Sequence, residues 1–543
     1  MVWRPSESLL NIFSALSDNM FKNNDHQSGF FSARFTPYLV LIILGLALYA
    51  RTIFFDFSYL DDNALILENY PIISQVKNVG AIFSNDVFFS SDKFYYRPLL
   101  NLSFMADASV AGALPVIFHL ANILIHILAS ILIFLLLKKL GQAKSISFFL
   151  AAFFLVHPAL TQAVAWIPGR NDSLLAVLVV AAFLSFLSFC DRPLLRHYLA
   201  YLGFLFLALL TKETAVFLPV LVIFYFLFLE PKRLKAYDKW LLTVGSGAIG
   251  FFWFLMRRLA LGTELTDYSQ AVWGIMKNSS ALLIYIGKLL FPFDLKTFPI
   301  LEDSTLIYGL LTILILSVAI WQSRRKRLRY VWFGTAWFLL FLLPAFIRPT
   351  GMPDFLEHRL YLSFVGFLII VLELDWVKNM DFRKKSVSIP AILVLAFLAA
   401  LSFRHSSAFT DRLSFWQSAA AGSPHSPLAQ KNLGTMYYLD GDNVKAEEYY
   451  GRTLSLNDKE SMVHNNLGVI YLNDRQYEKA KQAFERELQV NPNYDKALFN
   501  LGDLAYREKQ WPAALDYWLA ALRVNPRYYE AYERLLILEK QLR

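Results

Sequence analysis

The feature that most constrains the fold of this chain is a series of apolar runs, most of them about as long as a bilayer is thick. The runs lie near residues 36–57, 115–137, 146–166, 172–190, 197–211, 214–230, 239–256, 279–293, 304–322, 330–347, 358–374 and 388–403. A helix needs roughly 17–20 apolar residues to cross the hydrocarbon core. Charged residues make up only 17% of the 543 residues, against about 25% in soluble proteins. The sequence therefore predicts an all-α fold whose main part, residues 36–403, is a polytopic membrane helical bundle.

Basic clusters beside the apolar runs predict the orientation of the bundle. Their members are Lys138, Lys139, Lys144, Arg192, Arg196, Lys232, Arg233, Lys235, Arg324, Arg325, Lys326, Arg327, Arg329, Lys378, Arg383, Lys384 and Lys385. The positive-inside rule places all of them in the cytoplasm. The spans alternate consistently only if 279–297 is a re-entrant or interfacial helix, which leaves about eleven spans. Residues 1–35 are then expected to be a cytoplasmic tail without a cleavable signal.

Two further compositional facts narrow the class of protein. The single cysteine, Cys190, excludes an internal disulfide framework. The net charge of +9 comes from basic residues that cluster beside apolar segments, which is typical of membrane orientation rather than of nucleic-acid binding. We therefore expect no nucleic-acid partner.

Two adjacent carboxylates, Asp61 and Asp62, follow the first apolar run in the stretch Tyr59-Leu60-Asp61-Asp62-Asn63. Carboxylates at the edge of the hydrocarbon are costly, and this cost favours a functional role. A base at this position could act on lipid-borne substrates. The alternative interpretation is that the pair begins a helix or lies in a solvated turn.

Several other polar residues fall at span ends on the predicted outer face. They are Arg97, His157, Arg170, Lys212, Glu213, Arg257, Arg258, Arg348, Glu357 and Arg359. Together they predict a polar cavity at the outer leaflet that could hold an anion, whereas each basic residue alone could extend to lipid headgroups. His119 and His126 are seven residues apart on one helix face, and we favour a hydrogen-bonded interior pair over substrate contact. Tyr95, Tyr96 and Trp166 are the aromatic residues expected near a sugar ring.

A repeat of 34 residues replaces the apolar runs after Arg404. Asn432-Leu433-Gly434, Asn466-Leu467-Gly468 and Asn500-Leu501-Gly502 recur at this step, as do Ala446, Ala480 and Ala514, and the aromatic residues Tyr450, Phe484 and Trp518. This period and these residue types predict a soluble tetratricopeptide-repeat α-solenoid. We expect three repeats, at 427–460, 461–494 and 495–528, a capping helix at 529–543, and a linker at 404–426.

The order of the motifs resembles a known family of membrane enzymes. The motifs are Leu60-Asp61-Asp62-Asn63-Ala64-Leu65, Tyr96-Arg97-Pro98-Leu99, Phe118-His119-Leu120-Ala121-Asn122 followed by His126, His157-Pro158-Ala159-Leu160-Thr161-Gln162-Ala163-Val164, Gly169-Arg170-Asn171-Asp172, Lys212-Glu213, and Glu357-His358-Arg359-Leu360-Tyr361. The chain resembles the GT-C glycosyltransferases, and most closely the transmembrane and tetratricopeptide-repeat O-mannosyltransferases and their bacterial relatives. It differs at Gln162 and Asn171, where acidic residues would be expected.

The resemblance implies a GT-C fold with a catalytic outer loop at 58–114. It also implies inverting transfer of a sugar from a polyprenyl-phosphate donor to a hydroxyl. The implied catalytic residue is Asp61 or Asp62, with a preference for Asp62. The implied donor-phosphate residues are Arg97, His157, Arg170, Lys212 and Arg359. No cofactor is expected, although some GT-C enzymes use a divalent metal at the acidic loop, where His157 would be the one further ligand.

The expected partners are a polyprenyl-phosphate-linked sugar, membrane lipids, an acceptor protein or glycan, and a protein bound by the repeats. The short repeat array favours a bacterial inner membrane with periplasmic repeats. Two alternatives stay open: a non-catalytic membrane scaffold that binds proteins through its repeats, and a transporter or flippase. A transporter would more often show repeated halves and broken helices at mid-membrane.

Overall fold

The structure is a computed structural model that describes residues 35–90, 94–229, 234–262, 268–347 and 354–542. The expected cytoplasmic tail lies outside these residues except for Phe35, and Lys232, Arg233 and Arg348 lie outside them as well. In the described ranges the regular structure is helical, and the β-pairing is the isolated bridge between Ile300 and Asp354. The predicted all-α fold is confirmed.

The chain forms two compact units, the first ending at Phe415 and the second beginning at Trp416. The helices of the first unit are α1 Thr36–Tyr49, α2 Tyr70–Ile73, α3 Val79–Ser84, α4 Pro98–Ala111, α5 Pro115–Lys139, α6 Lys144–Val156, α7 Gln162–Ala165, α8 Arg170–Asp191, α9 Leu195–Thr211, α10 Phe217–Leu229, α11 Ala236–Leu261, α12 Tyr268–Lys277, α13 Ala281–Leu290, α14 Ile307–Gln322, α15 Leu328–Leu342, α16 Leu360–Val371, α17 Asp375–Lys378 and α18 Lys385–Ser406. Helix α19, Arg412–Gly422, contains the boundary.

Six helical segments of the described residues are long and apolar enough to cross a membrane. They are Thr36–Phe54, Pro115–Lys139, Ile167–Asp191, Ala236–Leu261, Leu328–Phe346 and Lys385–Phe409. A seventh candidate is bent by 57° between Lys144–Val156 and Pro158–Ala165, because a residue before proline is kept out of the helical conformation. The predicted polytopic helical bundle is therefore confirmed, and the span count is approximate.

Four apolar helices are shorter than this test requires: Leu195–Thr211, Glu213–Leu229, Ala281–Leu290 and Ile307–Gln322. Helix α13 has ten residues, a length of about 15 Å at the helical rise. This is shorter than a hydrocarbon core of about 30 Å, and the interpretation of 279–297 as a re-entrant or interfacial helix stays a prediction. The number of eleven spans stays a prediction.

The span at Ile167–Asp191 occupies the centre of the first unit. It contributes Leu175, Val179, Phe183 and Phe186 to the largest apolar core, and 72% of its most apolar window is buried. The amino end of α8 carries Arg170 and Asp172, both buried. Polar side chains are therefore anchored at one end of the most deeply packed helix.

The second unit has the predicted helix pairs. They are α20 Pro427–Leu439 with α21 Asn443–Leu456, α22 Val463–Asn473 with α23 Tyr477–Val490, α24 Asp495–Arg507 with α25 Trp511–Val524, and the last helix α26 Tyr529–Leu542. Glycine lets each pair approach closely: a Cβ on Gly468 would lie 2.5 Å from the ring of Phe484. The tetratricopeptide-repeat region is thus confirmed, and its 34-residue period reflects this glycine–aromatic contact.

Candidate functional site

The acidic loop after the first span is closed by Asp62. Its Oδ2 accepts hydrogen bonds from Ser58 N at 2.7 Å and Ser58 Oγ at 3.0 Å, and its Oδ1 accepts from Asn63 N at 3.1 Å. The Asp62 side chain therefore caps the short π-helical segment Asn63–Leu67. Tyr59 has a φ of 58°, a conformation that is uncommon for a non-glycine residue. A tight loop thus surrounds Asp62, which is only 1% exposed.

The two carboxylates of this loop lie in different environments. Asp61 is half-buried, whereas Asp62 is buried. Burial raises the pKa of Asp62 to about 6, with a smaller contribution from the charge of Asp61, while the hydrogen bonds from Ser58 oppose the shift. Of the pair, Asp61 is the side chain with surface that a substrate could reach, and Asp62 holds the loop.

The acidic loop packs on the elements that carry the predicted arginines. Phe57 contacts the ring of Phe118, with 6.3 Å between centroids. Phe118 O in turn accepts a hydrogen bond from Arg170 Nη2 at 2.8 Å. Phe57, Phe104 and Phe118 belong to one apolar cluster. The structure therefore connects the acidic loop to the start of α5 and α8 through aromatic packing.

Arg97 and Lys212 lie in one charge cluster with acidic partners. Arg97 Nε lies 3.0 Å from Glu213 Oε2, and Lys212 Nζ lies 2.8 Å from both carboxylate oxygens of Asp172. Arg97 also interacts electrostatically with Asp172. These four residues balance two positive charges with two negative charges. Of the predicted donor-phosphate residues, Arg97 and Lys212 are the two that the structure brings together.

The charge cluster continues into the segment before α16. His358 Nε2 lies 3.6 Å from Asp172 Oδ2, and His358 Nδ1 lies 3.2 Å from Gln162 Oε1. Gln162 also accepts from His358 N at 3.1 Å and donates to Thr297 O at 3.0 Å. Gln162, which departs from the expected acidic residue, thus joins three segments of the chain as a hydrogen-bonding amide.

Arg170 is held by neutral and charged groups on all sides. It forms an ion pair with Asp107 at 2.6 Å, donates from Nε to Asn122 Oδ1 at 2.8 Å, and stacks on Phe104 at 4.8 Å. The side chain is fully buried. This guanidinium therefore joins α4, α5 and α8, and these contacts give it a structural role beside the predicted phosphate contact.

Arg359 and His157 have partners outside the charge cluster. Arg359 pairs with Asp354 through its Nη2 at 2.8 Å. His157 is buried, with its ring 4.6 Å from that of Phe364, and its Nδ1 accepts from Ala159 N at 3.3 Å. His157 thereby caps the 3-10 turn Pro158–Leu160.

A second buried ion cluster surrounds Glu357. Its Oε1 accepts from Lys288 Nζ at 2.6 Å and from Lys296 N at 3.0 Å, and its Oε2 lies 2.8 Å from His405 Nε2. Burial alone would raise the pKa of Glu357, but Lys288 and His405 lower it to about 2. Glu357 therefore joins α13, the following loop and the last span beside His358.

Sequence reasoning missed the acidic partners Asp107 and Asp172 and the basic partner Lys288. Lys288 lies in an apolar run, and an ionisable residue inside such a run is itself a signal of a buried partner. Asp107 carries no comparable signal. The pairing of Asp172 with Lys212 joins residues 40 positions apart and depends on how α8 packs on α9.

The aromatic and histidine residues singled out in the sequence differ in burial and in contacts. Tyr95 is 40% exposed and lies under Arg97 at 4.4 Å, whereas Tyr96 and Trp166 are buried. Trp166 packs against His358 at 5.1 Å. Both members of the favoured interior pair, His119 and His126, are buried. His126 contacts Tyr361 Oη at 2.6 Å and Leu155 O at 2.9 Å, and the ring of His119 lies 6.1 Å from that of Phe55.

In the described part of the chain, the structure identifies no further side chain that could complete a metal site at the acidic loop. Among the described residues, no three His, Cys, Asp or Glu side chains converge as a metal site. His157, the one further ligand that the sequence offered, uses its Nδ1 to cap a turn. The role of a metal stays an expectation.

Comparisons with known proteins give a match in each of the two units. Residues 106–256 match the family described as dolichyl-phosphate-mannose-protein mannosyltransferase, and residues 465–529 match the tetratricopeptide repeat. A protein O-mannosyl-transferase of Caenorhabditis elegans is 24% identical over 442 residues, which cover 77% of this chain and 62% of that protein. Protein O-mannosyl-transferase TMTC1 of Mus musculus is 33% identical over 150 residues, which cover 26% of this chain and 16% of that protein.

The chain spans less than two thirds of the length of each of these two relatives. The two family matches fall on the membrane unit and on the repeat unit, in the order that the sequence motifs predict. The resemblance of this chain to the transmembrane and tetratricopeptide-repeat O-mannosyltransferases is therefore confirmed.

Proposed function

We propose that this chain is a membrane glycosyltransferase that moves a sugar, mannose in the first instance, from a polyprenyl-phosphate donor to a hydroxyl of an acceptor protein. The observation that carries the proposal is the difference in burial between the two carboxylates of the acidic loop. Asp62 is closed in by Ser58 and Asn63, and Asp61 keeps accessible surface next to it. The names of the relatives support the choice of mannose and of a protein acceptor.

Asp61 acts as the general base in this proposal. It removes the proton from the acceptor hydroxyl, whose oxygen then attacks the anomeric carbon of the sugar. The bond between that carbon and the phosphate oxygen breaks, and the electron pair leaves with the polyprenyl phosphate. A single displacement of this kind inverts the configuration at the anomeric carbon. Asp62 is a positioning residue, because its three hydrogen bonds set the backbone on which Asp61 stands.

Arg97 and Lys212 stabilise the phosphate as it gains negative charge. Both cations are already oriented by carboxylates, at 3.0 Å for Arg97 and 2.8 Å for Lys212. Preorganised charges of this kind lower the barrier without reorganising during the reaction. The planar guanidinium of Arg97 can bind two phosphate oxygens. Tyr95, stacked on Arg97 and partly exposed, offers a ring face to the sugar.

The proposed orientation puts the acidic loop and the repeats on the outer side of the membrane. This follows from the basic clusters at the opposite span ends. The repeats would hold the acceptor protein or a partner, as tetratricopeptide grooves hold peptides. A cysteine introduced at 440–443 should react with an impermeant label from outside, and labelling only from the cytoplasm would contradict the orientation.

Sugar transfer by the purified chain tests the proposed activity. The assay uses a radiolabelled polyprenyl-phosphate mannose and a serine- and threonine-rich peptide. We expect Asp61→Asn to lower kcat by about 10²- to 10⁴-fold, the range for loss of a general base. Glu68→Gln is the matched control, since Glu68 is an exposed acid of the same loop. An inactive wild type, or an Asp61→Asn variant as active as wild type, would overturn the proposal.

A further inference from the structure

A groove of about 520 Å³ lies at the carboxyl end of α14, beside the short helix α17. Leu314, Ile315 and Val318 of α14 form its apolar wall. Asp375 and Trp376 of α17 form its other end. None of these residues belongs to the acidic loop or to the charge cluster around Lys212, so the groove is separate from the candidate catalytic site.

The apolar wall of this α14–α17 groove faces outward from the bundle. Leu310 and Leu314 are more than half exposed, and Trp321 at the end of α14 is 78% exposed. Apolar side chains exposed along one face of a membrane helix contact lipid tails. Tryptophan is enriched where the hydrocarbon meets the headgroups. We take the exposed Trp321 and Trp376 to lie at the level of the headgroups, so that the groove opens to lipid just below that level.

The polar end of the groove is built around Asp375. Its carboxylate accepts the backbone N–H groups of Arg324 at 2.8 Å and of Arg325 at 3.0 Å, and its own N–H donates to Ser323 Oγ at 3.0 Å. These bonds fix the turn after α14. The backbone of Arg324 and Arg325 is therefore held at the polar end of the groove, and both residues are exposed.

The basic side chains around the groove differ in whether they form ion pairs with acidic side chains. Arg327 and Lys378 form ion pairs with Glu373, each at 2.6 Å. Within the described part of the chain, Arg324 and Arg325 form no such side-chain ion pair. Two exposed guanidinium groups thus follow the Asp375 end of the apolar groove, where the Asp375 carboxylate is bonded to their backbone N–H groups and not to their side chains. A ligand with one acyl chain and one anionic phosphate has the complementary chemistry.

We propose that the α14–α17 groove is a binding site for an anionic glycerophospholipid. One acyl chain lies along Leu314, Ile315 and Val318, and the phosphate binds Arg324 and Arg325. Arginine suits a phosphate because its planar fork donates two parallel hydrogen bonds. Basic pockets at helix ends on the cytoplasmic side bind anionic headgroups in this way. A zwitterionic lipid fills the same wall but neutralises less of the arginine charge.

Native mass spectrometry of the full chain in detergent tests this site. Dioleoyl-phosphatidylglycerol and dioleoyl-phosphatidylcholine are titrated at equal concentrations, and we expect tighter retention of the anionic lipid. Replacing both arginines, Arg324→Ala with Arg325→Ala, should weaken that retention roughly tenfold, since each basic residue near an anionic surface contributes about a factor of several. Arg192→Ala with Arg196→Ala is the matched control, because these two arginines are also exposed and belong to another basic cluster.

A second pair of variants tests the groove itself without changing charge. Val318→Trp fills the apolar wall and should abolish the preference for the anionic lipid. Val394→Trp is its control, since Val394 on α18 is 44% exposed, against 41% for Val318. Equal binding of the two lipids by wild type, or retained preference in Val318→Trp, would overturn the proposal. Displacement of phosphatidylglycerol by a polyprenyl phosphate at the same variants would assign the groove to the donor instead.

Discussion

Lys212 Nζ lies 2.8 Å from both carboxylate oxygens of Asp172, where the Lys212 side chain is 14% exposed and the Asp172 side chain 6% exposed. A buried cation that is already paired can bind a donor phosphate only by sharing or exchanging its partner. Because Arg97 is paired with Glu213 beside it, these two cations and two carboxylates carry no net charge. The carboxylates thus hold in place the two cations that we propose to bind the donor phosphate.

Separating the structural and functional roles of Lys212 requires a pair of variants. Lys212→Ala should lower the free energy of unfolding by up to roughly 3–5 kcal/mol, because the buried Asp172 loses its closest cation and keeps His358 at 3.6 Å. Lys212→Met combined with Asp172→Leu should recover most of that loss, as apolar replacements of a buried pair often do. Thermal unfolding and sugar transfer are measured on the same samples. A double variant that regains activity along with stability would contradict a phosphate-binding role for Lys212.

The pH dependence of transfer should report on Asp62. Because its pKa in the folded chain is about 6, Asp62 is ionised above that pH and neutral below it. We expect kcat of the wild type to fall as the pH drops through about 6, since protonation weakens the hydrogen bonds that Ser58 and Asn63 donate to this carboxylate. In Asp62→Asn this fall in kcat at acid pH should disappear, and the activity at pH 7.5 should resemble that of wild type at pH 5. If kcat of Asp62→Asn still fell through about pH 6 as in wild type, the pH dependence would belong to another group.

The ionised carboxylate of Asp62 should lower the free energy of unfolding at neutral pH. A raised pKa means that the folded chain binds the proton more tightly than the unfolded chain, so stability falls as the pH rises from about 3.8 to about 6. A shift of about two pH units corresponds to roughly 3 kcal/mol. Asp62→Asn should therefore raise Tm at pH 7.5, and the gain should vanish near pH 4. A lower Tm at both pH values would contradict this.

Glu357 should show the opposite dependence on pH. Its pKa in the folded chain is about 2, below its ordinary value of 4.5. It therefore contributes stability that is fully present above about pH 4.5 and is lost as the pH falls toward 2. Glu357→Gln should lower Tm at pH 7 and flatten the Tm curve in that acid range. Glu302→Gln, at an acid in the loop after α13, is the control and should follow wild type.

The repeat unit offers a test of close helix packing. Gly502→Ala places a Cβ 2.5 Å from the ring of Trp518, and such overpacking costs about 1–3 kcal/mol. Gly451→Ala is the matched control, because a Cβ there meets nothing within 4 Å and should stabilise the helix by about 0.5–1 kcal/mol. Hydrogen exchange in the full chain measures both effects, at α24 and α25 for Gly502→Ala and at α21 for Gly451→Ala. Equal protection in the two variants would contradict the packing argument.

The elements of this protein could be predicted from local patterns. The membrane bundle follows from apolar runs, since a helix that spans lipid must be apolar along its length. The repeats follow from a period that returns Gly434, Gly468 and Gly502 to the same contact. The basic residues of the candidate site could also be found, because a charge at the end of an apolar run is costly and therefore conspicuous.

The pairing of those charges was decided only by the tertiary structure. Lys212 with Asp172, Arg170 with Asp107, and Lys288 with Glu357 join positions 40 to 69 residues apart, and no local pattern records which acid faces which base. The different burial of Asp61 and Asp62 likewise depends on a turn at Tyr59 and on the hydrogen bonds from Ser58. Sequence determined which residues carry charge near the membrane, and packing determined which of those charges a substrate can reach.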